Sequence, residues 1–223
     1  MNEGQIQIAT AGEALIDLVT QADGSFVSCE GGAVYNLTRA VARQGVGVAY
    51  LNALSSDRFG RGLRDHLLAD GVHCAVAQAV AEPTSLAVVA LDPAGKPDYS
   101  FYREGVADRI GTAAELIARS RSLPDLKVVC TGCLALAPQD RDRYQPWLRA
   151  ARGAGLGVVV DANLRPSVVS DLFAYRRSVQ EALALADVIK VSDDDLEVLL
   201  GNVADPFAAA RDLFGASPAT WVA

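Results

Sequence analysis

The 223 residues suffice for one large α/β domain with a buried core or for two small ones, and a single domain is the simpler reading. A hydrophobic fraction of 51% with only 6% aromatics suits packed helices around a buried sheet and excludes a disordered chain. The formal charge of −7, with no basic cluster, argues against a nucleic-acid or anionic-membrane surface.

The N-terminus has no cationic stretch, and its apolar run is broken by Gly12, Glu13 and Asp17. Neither a signal peptide nor a membrane span is expected, and the cytoplasm is the default location. Cys29, Cys74, Cys130 and Cys133 are too few and too scattered for a disulfide framework.

Ile6 to Thr10 reads as the first strand. Gly31-Gly32-Ala33-Val34-Tyr35-Asn36 then runs into an amphipathic helix through Gln44, which stops at Gly45. Paired glycines let a ligand approach the backbone, and a helix N-terminus offers free N–H groups. Asn36 on the first turn adds donors and an acceptor suited to a hydroxyl-rich small molecule. The same segment can be read as an ordinary strand-to-helix turn in which Asn36 caps the helix.

Strands and helices then alternate, the pattern of a parallel sheet wrapped by helices. Strands are expected at Val48–Asn52, near Ala75–Ala79, and at Leu126–Cys130, Gly157–Asp161 and Val188–Val191. Helices are expected at Phe59–Leu68, Ala113–Arg119, Arg141–Arg152, Tyr175–Leu185, Asp194–Leu200 and Pro206–Leu213. One insertion breaks the alternation. Ser85–Leu91 and Asp98–Arg103, joined by a Pro- and Gly-rich turn, read as a β-hairpin, either a small lid or an edge of the main sheet. The period of two puts Tyr99, Phe101 and Arg103 on one face.

In open parallel sheets ligands bind beyond the carboxyl ends of the strands. Asp17, the run Asp161-Ala162-Asn163-Leu164-Arg165-Pro166, and Lys190 with Ser192 fall at such ends. A carboxylate, an amide and a guanidinium in one crevice would suit a polyol. Helix caps or surface ion pairs are the plainer explanation for each residue taken singly. No Walker A loop or GxGxxG turn is present, and Asp193-Asp194-Asp195 reads as a solvated helix start. Cys130-Thr131-Gly132-Cys133 has the spacing of a redox motif but ends an apolar strand, so small residues at a strand end account for it.

Taken in order, Gly31-Gly32 to Asn36, Asp161 to Pro166 and Lys190 to Asp195 make the chain resemble the ribokinase-like sugar kinases, the PfkB carbohydrate kinase family, nearest its fructokinase and 2-keto-3-deoxygluconate kinase branch. Gly12 to Asp17, Asp57-Arg58-Phe59-Gly60, Pro83-Thr84 and Phe101 to Gly105 add to the likeness, which covers essentially all 223 residues. It implies a ribokinase-like Rossmann-type α/β sandwich, a mainly parallel sheet flanked by helices, over residues 1–223, incomplete at its C-terminus. A β lid would lie near 13–31 and 85–104.

By that likeness Asp17, Gly31, Gly32, Asn36, Phe101, Arg103 and Arg165 would bind a sugar, fructose-like or a keto-deoxy acid. Lys190 and Ser192 would lie toward the phosphates of ATP, and Asp195 toward Mg2+. The partners expected are the sugar and ATP, with a homodimer through the β lid. No catalytic residue is assigned, because the family's Gly-Ala-Gly-Asp segment, whose aspartate takes the proton from the attacking hydroxyl, does not occur in these residues. The chain is therefore expected to be inactive alone. A non-catalytic sugar-binding or regulatory protein derived from a kinase is the alternative.

Overall fold

The computed structural model describes residues 5–91, 97–215 and 221–222. In chain order they form β1 (Ile8–Thr10), β2 (Leu15–Thr20), β3 (Phe26–Gly31), α1 (Ala33–Arg43), β4 (Val48–Tyr50), α2 (Arg58–Ala69), β5 (His73–Cys74), β6 (Ser85–Leu91) and β7 (Pro97–Tyr102). There follow α3 (Ala113–Arg121), β8 (Val128–Gly132), α4 (Arg141–Gly153), β9 (Gly157–Asp161), α5 (Leu172–Leu183), β10 (Val188–Lys190), α6 (Asp193–Leu200), α7 (Pro206–Gly215) and β11 (Trp221–Val222).

Seven strands build one parallel sheet in the order β11-β10-β9-β8-β1-β4-β5. Side chains alternate across it with the period of two. Val48 and Tyr50 pack with Val34, Tyr35, Leu63 and Leu67 of α1 and α2. Ala9, Ala49 and Leu51 point the other way, toward Leu116 of α3, Trp147 and Leu148 of α4, and Val179 of α5. Burial on both faces is why the strands read as continuous apolar runs such as Val158-Val159-Val160. On α4 the buried Tyr144, Trp147, Leu148 and Ala151 recur at helical spacing. The Trp147 indole N–H donates to Ser120 Oγ at 2.8 Å, so its polar edge is satisfied inside the core.

The remaining strands form a separate sheet, β3-β2-β6-β7, with β2 and β6 parallel and the two flanking pairs antiparallel. The 85–103 hairpin therefore belongs to this second sheet and not to an edge of the main one. Its turn, at 92–96, lies outside the described residues. Polar bonds fix the root of β6. The Asp57 carboxylate accepts from Thr84 N–H and hydroxyl, both at 2.8 Å, and Ser85 Oγ donates to Asp108 at 2.5 Å.

The strand expected near 75–79 is absent. Only His73 and Cys74 pair with β4, after which the Arg64 guanidinium takes the carbonyls of Val76 and Ala77 at 3.1 and 2.9 Å. Those carbonyls are satisfied by a side chain, and the segment leaves the sheet edge. Helix α1 begins at Ala33, directly after the glycines, and β1 and β4 are shorter than expected. Beyond β4 the chain turns inward at Asn52, whose Oδ1 accepts from Gly12 N–H at 2.9 Å. Its Nδ2 donates to Asp108 O at 2.7 Å and to the Tyr144 hydroxyl at 2.9 Å.

Replacing Asn52 by alanine removes one buried side chain and leaves three buried polar groups without it, so Asn52→Ala should lower unfolding stability by about 2–4 kcal/mol. A urea titration checks this, with Thr20→Ala on the exposed end of β2 as the silent control.

Candidate functional site

Helix α1 starts on a residue that cannot cap it. Its N-cap is Gly32, at φ +106°, a conformation that side chains rarely adopt, and a Cβ there would stand 2.7 Å from the Glu13 carbonyl oxygen. The donors of the first turn are satisfied from another segment. Glu13 Oε1 accepts from Ala33 N–H at 2.8 Å and the Glu13 main-chain oxygen from Tyr35 N–H at 3.2 Å. Asn36 is not the cap: its N–H bonds back to Gly32 O at 2.9 Å as an ordinary helical residue, and its exposed side chain borders the cleft described next.

A cleft of about 160 Å³ opens between this turn, the second sheet and the carboxyl ends of β8 and β9. The second sheet contributes Leu15, Asp17, Tyr99 and Phe101; the turn contributes Gly32, Ala33 and Asn36. Cys133, Leu134, Asn163 and Arg165 close it from the strand ends, and Glu13 forms part of its floor. Register explains the lining: Asp17 is opposite Cys29 and Ala87, and Ala87 is opposite Phe101, so all four share one row on one face. The Tyr99 and Phe101 rings stack, with centroids 5.7 Å apart, and the Arg165 guanidinium lies 5.7 Å from the Tyr99 centroid. Arg165 Nη1 donates to Leu164 O at 2.8 Å and Asn163 O at 3.3 Å.

Two non-glycine residues with left-handed backbone, Cys133 (φ 52°) and Asn163 (φ 38°), border the cleft. Strained backbone of this kind costs on the order of 1 kcal/mol or more and concentrates at ligand sites. Burial raises the Asp17 carboxyl above its ordinary range, and the Arg165 charge opposes the rise. The shift at Glu13 is larger. Complete burial pushes it up to about 7, against the Arg103 charge and the bond from Ala33, and its Oε2 has no hydrogen-bond partner.

The structure thus brings Asp17, Gly32, Asn36, Phe101 and Arg165 to one cleft. Gly31 stands behind it: a Cβ there would overlap the Asp17 carboxylate, so its bareness makes room for Asp17. Arg103 departs from the expectation that it closes over a ligand. It follows the end of β7, is buried, and its Nη1 lies 3.4 Å from Asp140 and its Nη2 3.7 Å from Asp108; two buried carboxylates hold it inside.

Lys190 pairs with Asp161 at 3.1 Å at the end of the main sheet, away from the cleft lining. Ser192 caps α6, its Oγ accepting from Asp195 N–H at 3.2 Å. Asp195 does not present an open metal ligand either. It is buried, its Oδ1 accepts from Leu164 N–H at 2.6 Å and its Oδ2 from Ser192 N–H at 2.8 Å. Among the described residues no group of three or more acidic, His or Cys side chains is arranged to hold a metal ion. As arranged, these residues do not fit direct Mg2+ ligation.

Residues 5–215 match the pfkB family carbohydrate kinase domain. The chain belongs to that family. It is 30% identical over 198 residues to a fructokinase of Rhizobium leguminosarum bv. trifolii, covering 85% of this chain and 58% of the relative. It is 32% identical to fructokinase-1 of Oryza sativa subsp. japonica, with 87% and 62% covered. The chain therefore spans about 60% of the length of the fructokinases it matches. A crystal structure of Xylella fastidiosa fructokinase with bound ATP superposes with TM-score 0.80 at 30% identity, covering 98% of this chain and 68% of that one. Aminoimidazole riboside kinase from Salmonella enterica, at TM-score 0.78 and 23% identity, shares the fold. No described helix of this pfkB-family chain is long and apolar enough to cross a membrane.

Sequence reading missed Glu13 and Cys133 as lining residues and carried Asn163 only as part of the Asp161 to Pro166 run. Glu13 looked like an interruption of an apolar stretch, and the available signal was an acid lying directly before a strand and unmatched by any nearby base. Cys130 and Cys133 are buried and free, and burial raises both thiols, Cys130 to about 12, which removes the thiolate that redox chemistry needs.

Two outcomes follow from these environments. Because the folded protein holds the Glu13 proton from its ordinary 4.5 up to about 7, stability should be highest below pH 4.5 as far as this group is concerned and fall as pH rises through 7. The loss is on the order of 3 kcal/mol, and Glu13→Gln should flatten it in urea titrations from pH 5 to 8. With iodoacetamide, mass spectrometry should find exposed Cys29 modified first and Cys130 and Cys133 only on unfolding.

Proposed function

We propose that the cleft binds the acceptor sugar of an ATP-dependent sugar kinase, and that the acceptor is a neutral ketose such as fructose. The observation that carries this reading is the convergence of a carboxylate, an amide, glycine-turn backbone and a stacked aromatic pair on one small cleft. Asp17 can accept from two sugar hydroxyls while Asn36 both donates and accepts. The aromatic pair offers an apolar face for the C–H side of a pyranose or furanose ring. The likeness to fructokinases supports the same substrate class.

An acidic sugar is less well served. Arg103 is held away from the cleft by Asp108 and Asp140, and Arg165 spends Nη1 on two main-chain carbonyls. On this reading ATP is the phosphoryl donor, approaching the carboxyl ends of β9 and β10 where Lys190 is half exposed. Mg2+ would travel with the nucleotide, and Asp195, with both oxygens engaged, would reach it only through water. The exposed Phe26 and Tyr102, on the face of the second sheet opposite Asp17, support a homodimer through that sheet.

Titration calorimetry with D-fructose tests the cleft. Asp17→Asn should weaken binding at least about tenfold, the loss of a charged hydrogen-bond acceptor, without unfolding the chain. Equal affinity in both proteins would overturn the assignment. The 223-residue chain, lacking a Gly-Ala-Gly-Asp segment, is expected to release no ADP with any sugar; fructose-dependent ADP release in a coupled assay would contradict that.

A further inference from the structure

Below the cleft floor lies a group of polar atoms that the mechanism of sugar binding does not use. Glu13 Oε2, Arg103 Nε and Nη2, and Asp108 Oδ2 are all buried and all without a hydrogen-bond partner. Buried polar groups are almost always paired, so such a cluster in one place marks an arrangement with a second, better-satisfied state. The three residues come from three places that matter to the cleft. Glu13 holds the N-terminus of α1 and precedes β2; Arg103 follows β7, two residues after Phe101; Asp108 anchors the root of β6 through Ser85.

We propose that Glu13 is a positioning residue that couples the cleft floor to the β7 arm through Arg103, so that acceptor affinity follows the ionisation of Glu13. The inference rests on the acceptor-cleft reading for its effect on sugar. The link from Glu13 to Arg103 stands on their unpaired buried atoms and on the attraction between their charges.

When Glu13 is neutral, its bond from Ala33 keeps α1 in place and Oε2 makes no demand on its surroundings. When its proton leaves for solvent, the buried carboxylate needs a partner. Arg103 keeps Nε and Nη2 free of hydrogen bonds, Nη2 standing 3.7 Å from Asp108, and carries the charge felt most strongly at Glu13 after desolvation. Drawing Arg103 toward the floor draws the end of β7, and with it Phe101 and Tyr99, over the cleft. Asp108 and Asp140 hold Arg103 from the other side and limit the shift. Of the other groups nearby, Cys133, whose thiol bonds weakly to Glu13, and Tyr50 stay protonated through the neutral range. Asp17 and Arg165, across the cleft, are opposite in sign and offset each other's charge. Burial raises the Asp108 carboxyl as well, against the Arg103 charge and the Ser85 bond, but it lies on the far side of Arg103; Glu13, raised to about 7, is the one on the cleft side.

The test measures D-fructose affinity by calorimetry at pH 6, 7 and 8, with hydrogen exchange of residues 98–102, corrected for intrinsic rates, at the same pH values. The wild-type chain should bind at least threefold more tightly at pH 8 than at pH 6 and protect the β7 arm more. Glu13→Gln, which keeps an acceptor for Ala33 N–H but cannot ionise, should show neither change while retaining its circular dichroism spectrum. Equal pH dependence of affinity and protection in both proteins would overturn the proposal, as would a flat wild-type profile. If neither protein binds fructose, the acceptor reading fails, and the exchange data alone decide the link: protection rising with pH only in the wild type upholds it, and no difference between the proteins refutes it.

Discussion

The structure depends on how the N-terminus of α1 is satisfied. The close approach of Glu13 needs glycine at position 32, and glycine has no side chain with which to cap the helix it starts. Glu13 resolves this from the preceding strand connection, with one carboxylate oxygen and one carbonyl oxygen serving the first turn. The same close approach excludes a Cβ at Gly32, so the glycine and the acid require one another. Everything bordering the cleft, from Asp17 on β2 to Asn36 on α1, takes its place relative to that clamp.

The clamp is costly because it buries a carboxyl completely, and its neighbourhood is correspondingly polar. Asp140 gathers Arg103, Arg109 and Arg143 at the start of α4, Asp108 joins Ser85 to the Asn52 carboxamide, and Asn52 holds Gly12. This network runs from the main sheet to the roots of both β6 and β7. It makes the second sheet a structured attachment whose angle over the cleft is set by buried ion pairs, and it explains why Arg103, which alternation placed beside Phe101, serves the interior instead.

The alternation of strands and helices was legible because burial of the main sheet on both faces writes itself as apolar runs of fixed length between helical patterns. The lack of a strand at 75–79, where the sequence predicts one, was not, because Arg64 satisfies those carbonyls and only the folded chain brings Arg64 there. Asp17 and Phe101 were legible as candidates from their strand positions, yet their union came from register across β2, β6 and β7, in which β2 pairs with the far-distant β6. Asp195 read from the sequence as part of a solvated helix start; the fold buries it instead, and its bond from Leu164 N–H ties the β9 and β10 connections together.

By itself the sequence determined the α/β class, the glycine turn leading into α1 and the family likeness, because each depends on local spacing and residue type. Tertiary structure decided that Glu13 caps α1, that Arg103 turns inward, and that Asp195 is buried with both oxygens on main-chain N–H groups. The physical reason is common to the three: the fate of a charged side chain is set by which partners and how much water the fold leaves around it, and neither is encoded in its neighbours along the chain.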